Sequence, residues 1–241
     1  MEYRFTSIML RKREVAETDR FYTFFTREQG KVTAIAKGVR KAEAKLASSL
    51  ETATLAEIMV ARTRGVGKIT GAVLEQSYPA LHRSFELLRE TVQFFAAVDH
   101  LVEPEEKDET LFALLRTYLE TGERIATEGK DMHQGRLLTE AAFFRLFVLL
   151  GYQFELSRCS ISHERLKQGG RFFLSFETGG VVSESHVREV KDAQPISESA
   201  IKALRLMTAQ SLEHIPRIIL DDRTRDELTR LRTSYQRWIR D

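Results

Sequence analysis

The sequence predicts an α+β chain in two parts: a five-stranded β-barrel over residues 1–80, then an all-α helical domain over residues 81–241 with an inserted β-hairpin at about residues 155–192. Three observations predict it. Five segments rich in β-branched and aromatic residues fall within the first 80 positions. The apolar spacing then turns helical from about Pro79. One stretch inside the helical part, Arg171 to Ser183, returns to strand-like composition.

The strand segments are Ser7 to Lys12, Arg20 to Arg27, Lys31 to Lys37, Leu55 to Ala61 and Lys68 to Glu75. Glu28-Gln29-Gly30-Lys31 separates the second from the third, with Gly30 able to supply a positive-φ turn position. Thr63-Arg64-Gly65-Val66-Gly67 separates the fourth from the fifth. Arg40 to Leu50 is rich in Ala and Lys and is helix-prone. Five strands with one short helix between the third and fourth match the OB-fold, a small Greek-key barrel.

Helical spacing follows. Phe85, Leu88, Val92, Phe95 and Val98 mark a first helix, and Leu111, Leu114, Leu115, Tyr118 and Leu119 a second. Leu137 to Leu150 is a third, apolar on most sides in its second half and so central to the C-terminal core, with Gly151 as its stop. A fourth starts near Ser197, with Glu198 in its first turn, and runs to about His214. A fifth begins at Asp221 and Asp222 and runs to the end. The hairpin reads Arg171 to Phe176, a Glu177-Thr-Gly-Gly180 turn, then Val181 to Ser183.

Composition narrows the function. Hydrophobic residues make up 42% of the chain, as in a protein that buries a core. No run approaches the ~18 apolar residues of a membrane span, and Met1 to Ser7 lacks the apolar core of a signal peptide. The single cysteine, Cys159, excludes an intramolecular disulfide and fits a reducing compartment, so the expected location is the cytoplasm. Residues 1–80 hold 14 Lys and Arg against 9 Asp and Glu, whereas the remaining 161 hold 23 against 26. A basic N-terminal part beside a mildly acidic remainder points to a polyanionic partner for the first part, with a solvated surface as the plain alternative. There is no nucleophile elbow, no His-Glu-x-x-His pair and no Walker loop, so no enzyme is expected.

Binding single strands takes cations for the phosphates and flat side chains for the bases. Arg11, Lys12 and Arg13 end the first strand. Lys31 and Lys37 bracket the third, followed by Arg40, Lys41 and Lys45. Arg62, Arg64 and Lys68 crowd the glycine turn between strands four and five, one of the loops by which OB-folds grip oligonucleotides. In strand two, alternation sets Phe21 and Phe25 on one face and Tyr22 and Phe24 on the other, and one pair must fill the barrel. Tyr22, whose hydroxyl tolerates water, is the expected stacking residue, unless all four rings are core. Arg136 and Arg145 in the third helix suit either an acidic peptide or ion pairs with Glu140 or Glu155. Arg230, Arg232, Arg237 and Arg240 with Trp238 either extend the strand-binding surface or form an ordinary amphipathic helix.

Several of these segments resemble the RecO family. Glu17-Thr-Asp-Arg20, Phe25-Thr-Arg-Glu-Gln-Gly30 and Ala36-Lys-Gly-Val-Arg-Lys41 are similar to its "E-x-D", "T-x-x-x-G" and "K-G-x-R" segments, in that order. Lys45 to Leu50, Leu111 to Leu115, and Phe144-Arg145 through Gly151-Tyr152 resemble later family helices, with Glu155, Leu156 and Cys159 in register. The resemblance spans about residues 3–190. It implies an N-terminal OB-fold, no catalytic centre, binding of single- and double-stranded DNA, strand annealing, and a place in the nucleoid. It also implies two protein partners: the ring-forming RecR and the acidic C-terminal tail of the single-strand-binding protein. Leu50-Glu51-Thr52-Ala53 departs from the family's Leu-Gln-Pro-Phe. Some members hold zinc through two Cys-x-x-Cys pairs flanking the hairpin; here these read Cys159-Ser-Ile-Ser162 and Ser183-Glu-Ser-His186. With three of four cysteines replaced, the chain is expected to use no cofactor and to hold its zinc-finger-like hairpin by packing of Phe172, Leu174 and Val182. The alternatives are a protein-only adaptor and a zinc-dependent structural module.

Overall fold

Alternating apolar residues produce five strands at the N-terminus of a computed structural model, which describes residues 1–14, 19–36, 47–62, 65–129 and 132–240. The chain divides into two compact units, Met1–Thr139 and Glu140–Asp241. The boundary expected near residue 80 marks the change from strand to helix.

The first unit opens with β1 (Glu2–Glu14), β2 (Arg20–Thr26), β3 (Gly30–Ala36), β4 (Leu55–Ala61) and β5 (Gly67–Gln76). They pair in the order β1-β2-β3-β5-β4, and β4 returns to β1, so the strands close into a barrel. All neighbours are antiparallel except β3 and β5, which run parallel through Ala34↔Gly67 and Ile35↔Lys68. Phe5, Met9, Tyr22, Phe24, Ile58, Val60 and Ile69 fill the interior, with Leu50 packed against them. Gly30 turns between β2 and β3 at φ 68°, and a Cβ there would lie 1.9 Å from the Glu106 carbonyl oxygen. No other residue type fits that corner. Of the helix expected over Arg40 to Leu50, the described portion is a single 3-10 turn, Ala47–Leu50.

Four helices follow: α1 (Pro79–Arg83), α2 (Phe85–Leu101), α3 (Glu109–Thr127) and α4 (Met132–Leu149). Ser84 caps α2 through the Leu87 amide, and Asp108 caps α3 through the Thr110 and Leu111 amides at 2.8 and 2.9 Å. Phe94 packs on Tyr118 at 4.9 Å between ring centroids. The Tyr118 hydroxyl is satisfied by Thr91 and Thr139.

In the second unit the expected hairpin is present as β6 (Phe172–Ser175) and β7 (Gly180–Ser183), with Phe172, Leu174 and Val182 all buried. A third strand, β8 (Gln194–Ile196), joins β6 on its other side. It escapes a sequence reading because it is three residues long and contains Pro195, which is tolerated only at a sheet edge. The fourth predicted helix is shorter than expected. α5 (Glu198–Ala209) stops where Gln210 turns extended (φ −87°, ψ 155°), and a separate 3-10 turn that contains Pro216 follows at Leu212–Arg217. α6 (Asp222–Arg240) ends the unit. Among the described residues no helix is long and apolar enough to cross a membrane.

Candidate nucleic-acid interface

A β-bulge decides what the barrel shows to solvent. Met9 pairs with Phe24, but Arg11 pairs with Thr23, so β1 spends one extra residue at Leu10. Strict alternation from the inward-facing Met9 would aim Arg11 and Arg13 into the core. The bulge reverses the phase, and both arginines come out beside the outward residues of β2.

The outer face then carries a cross-strand row. Arg13 lies opposite Phe21, Phe21 opposite Ile35, and Ile35 opposite Lys68, spanning β1, β2, β3 and β5. Arg13 and Lys68 are exposed; Phe21 and Ile35 are half-buried. The Arg13 guanidinium sits 5.8 Å from the Phe21 ring centroid. Beside this row lies Arg11–Thr23–Thr33, and the two rows share an open depression of about 320 Å³ with Val66 at its rim. Val66 is 53% exposed on the turn between β4 and β5. This surface is the strand 2–3 face, bordered by the β4–β5 loop, that OB-folds use for oligonucleotides.

The other predicted cations are distributed unevenly. Arg11 is paired with Asp99 at 3.3 Å. Lys31, largely buried, bonds the Asp99 carbonyl and lies 3.8 Å from its carboxylate. Lys12 turns the opposite way and meets Glu51 at 3.0 Å. Arg62 is held by Glu105 and donates Nε to the Gly65 carbonyl at 2.8 Å. Among the described residues, Arg13 and Lys68 have no ion-pair partner. Lys37, Arg40, Lys41, Lys45 and Arg64 lie outside the described residues.

Tyr22 requires a correction. Its ring is 2% exposed and sits in the barrel core against Phe24, so it offers no stacking surface; burial pushes its hydroxyl pKa up. Phe21, one residue earlier, faces out instead. Once the interior pair is known to be Tyr22 and Phe24, alternation alone selects Phe21. Phe25 shares that outward parity but is fully buried opposite Ile8. A second exposed ring, Tyr3, lies over Phe5 at 6.0 Å at the start of β1.

On α4, Arg136 is exposed, and Arg145 donates Nε to the Met207 carbonyl at 2.8 Å. Glu140 bonds Arg232 at 2.9 Å and the Thr229 hydroxyl at 2.8 Å. One Arg145 terminal nitrogen is buried without a hydrogen-bond partner among the described residues, and burial lowers the pKa of the group.

Among the described residues no three His, Cys, Asp or Glu side chains gather as ligands. Cys159 is buried and accepts the Ser183 amide at 3.5 Å. Burial alone would raise this thiol; hydrogen bonds from the amides of Ser162, Ser183 and Ile161 and from the Ser162 side chain hold it down to about 6. His186 is turned to Glu189 at 2.7 Å. The hairpin turn is fastened by a carboxylate: Asp192 accepts the Ser175 hydroxyl at 2.6 Å and the Phe176 and Glu177 amides at 2.7 and 2.9 Å.

The strand order and the joined helical unit define an OB-fold protein with a helical C-terminal domain. Comparison with known families narrows this. The model for the N-terminal part of recombination protein O matches residues 1–78, and that for its C-terminal part matches residues 94–238. The chain belongs to the RecO family, whose role is in DNA repair and recombination. It is 27% identical to a DNA repair protein RecO of Dehalococcoides mccartyi, over 94% of this chain and 86% of the relative. It is 31% identical to one from a Synechococcus species, over 87% and 75%. A Gloeobacter violaceus relative of the same name is 29% identical over 87% and 78%.

Proposed function

We propose that the chain is a non-enzymatic recombination mediator that binds single- and double-stranded DNA and anneals complementary strands in the cytoplasm, on the nucleoid. In this reading it works with RecR and with the acidic tail of the single-strand-binding protein to load a recombinase. The observation that carries the DNA-binding part is the open row Arg13–Phe21–Ile35–Lys68. It sets an aromatic face between two cations that have no ion-pair partner among the described residues, on the face an OB-fold uses for strands, so a base rests on Phe21 while phosphates meet Arg13 and Lys68. Arg11, Lys12, Lys31 and Arg62 contribute less, because each must exchange a carboxylate or carbonyl partner for a phosphate. Lys37, Arg40, Lys41, Lys45 and Arg64, outside the described residues, are further phosphate contacts in this reading on their sequence alone. Arg136, exposed on α4, is the cation of the pair Arg136 and Arg145 that a carboxylate of the acidic tail can reach in this reading.

The test is annealing of complementary oligonucleotides by the purified chain across a salt series, with EDTA throughout and no nucleotide. Expected is annealing that needs neither metal nor nucleotide. Binding should weaken with a log–log slope of roughly −0.7 per neutralised phosphate. A folded chain that neither binds nor anneals at low salt is instead a protein-only adaptor.

A further inference from the structure

The last helix has a second set of cations with a different character. Arg223, Arg230 and Arg237 recur every seven residues along α6. Seven residues are just short of two helical turns, so the three side chains leave the helix on one stripe about 21 Å long. All three are exposed, and among the described residues none has an ion-pair partner. Their neighbours on the same helix are committed: Arg225 to Asp222, and Arg232 to Glu140.

The stripe forms one wall of an open groove of about 790 Å³, whose opposite wall includes Arg171, Phe173 and Pro195. Arg171 is paired with Glu184 at 2.8 Å on the exposed side. The two carboxylates within the groove are already used. Glu227 accepts the Ser197 amide and hydroxyl, each at 2.7 Å, and Glu198 accepts the Gly169 amide. Phe172, Ile196 and Leu231 line the groove and are buried, and the apolar groups that reach its surface are Phe173 and Pro195. What it presents is a line of free guanidinium groups.

We propose that this groove is a second strand-binding track, which holds the sugar–phosphate backbone of one single strand while the barrel holds its complement. The inference rests on the annealing activity proposed above and adds to it a place for the second strand. Guanidinium forks match phosphate oxygens in pairs, and a straight, evenly spaced row suits a polymer with evenly spaced charges. Three cations on one stripe about 21 Å long follow the length of a strand, whereas an acidic peptide tail needs its charges gathered at one end, and the poly-glutamate arm of the test separates the two. Contacts of this kind carry no sequence information, as annealing of arbitrary complements requires.

The chain provides its own reporter. Trp238 is the only tryptophan, it follows Arg237 directly, and it is 41% exposed, stacked on Tyr235 at 5.7 Å. Its fluorescence therefore reads the end of the stripe, next to Arg237, and a Gln variant of the three positions shows whether the signal depends on these arginines. The experiment titrates oligo-dT into the full chain at low salt and measures annealing in parallel. Wild type is compared with a triple variant Arg223→Gln, Arg230→Gln, Arg237→Gln and with the corresponding triple Lys variant.

Wild type should show a saturable change in Trp238 emission. The Gln variant should lose that change, still bind labelled oligonucleotide, and anneal at least about tenfold more slowly. Its annealing should show a salt slope shallower by about 2, for three lost phosphate contacts. The Lys variant should retain most of the annealing. A folded Gln variant that anneals at the wild-type rate overturns the inference. So does a Trp238 response to poly-glutamate but not to oligo-dT, which assigns the groove to an acidic peptide. Failure of wild type itself to anneal overturns the parent reading and this one with it, whereas a normal wild type with an unaffected Gln variant overturns this one alone.

Discussion

The two halves of β1 are built from the same alternation and end in opposite environments. In the first half the outward residues Ile8 and Leu10 are buried, as is Phe25, opposite Ile8 on β2. In the second half the outward residues are Arg11 and Arg13, beside Thr23 and a half-buried Phe21. The bulge at Leu10 separates them. It converts a strand that buries both faces into one that displays cations, without leaving an arginine in the barrel. Within the second half the two arginines differ again: Arg11 is tied to Asp99, and Arg13 faces solvent over a ring. Under the proposed binding mode, position on the face makes a cation available, and freedom from a carboxylate sets how much it contributes.

That comparison breaks most visibly through adjacent rings. Tyr22→Ala empties the barrel core and should cost about 3–5 kcal/mol of stability, whereas Phe21→Ala should cost under ~1 kcal/mol. Denaturant melts of the two variants read the difference directly, and equal losses would show that Phe21 is not outward. The partnered-group side of the comparison has its strongest case in the helical unit. Asp192→Ala strips three hydrogen bonds from the hairpin turn and should destabilise by about 1–3 kcal/mol, while EDTA should leave the wild-type melt unmoved.

The Cys159 thiol gives a pH-dependent version. Its folded value, about 6, lies below the ordinary 9.0, so folding favours the thiolate. The stability it contributes is full above about pH 9 and falls as pH drops towards 6, at no more than about 1.4 kcal/mol per unit in that window. Cys159→Ser should flatten that dependence in denaturant melts taken from pH 6 to 9. The smallest expected effect sharpens the contrast between Arg11 and Arg13. Asp99→Asn frees Arg11 and leaves Lys31 only the backbone carbonyl, so single-strand affinity at low salt should rise severalfold with a steeper salt slope.

Much of this architecture was legible because strands and helices impose different apolar periods. The five strands, the Gly30 turn, the hairpin and five of the helices emerge from spacing, with ends displaced by up to five residues at β1, α4 and α5, while the short α1 was not separated from α2. The bulge was not legible, since it is a property of the register between β1 and β2. Nor were the tethers to Asp99, which join residues 88 and 68 positions apart. Tyr22 was misjudged for a related reason: alternation divides the rings of strand two into two pairs, but only the packed barrel shows which pair is inside. The hairpin's dependence on Asp192 was hidden because its partners lie 15 to 17 residues away.

The central claim is that the outer row around Phe21 is the surface on which a strand lies. The direct test is single-strand affinity of Phe21→Leu against wild type over a salt series. Leucine keeps the apolar bulk and removes only the ring. The account predicts affinity weaker by about 1–3 kcal/mol at every salt concentration with an unchanged slope, because stacking is lost and no phosphate contact is. Wild-type affinity in the folded variant would contradict it and move the strand off this face of the barrel.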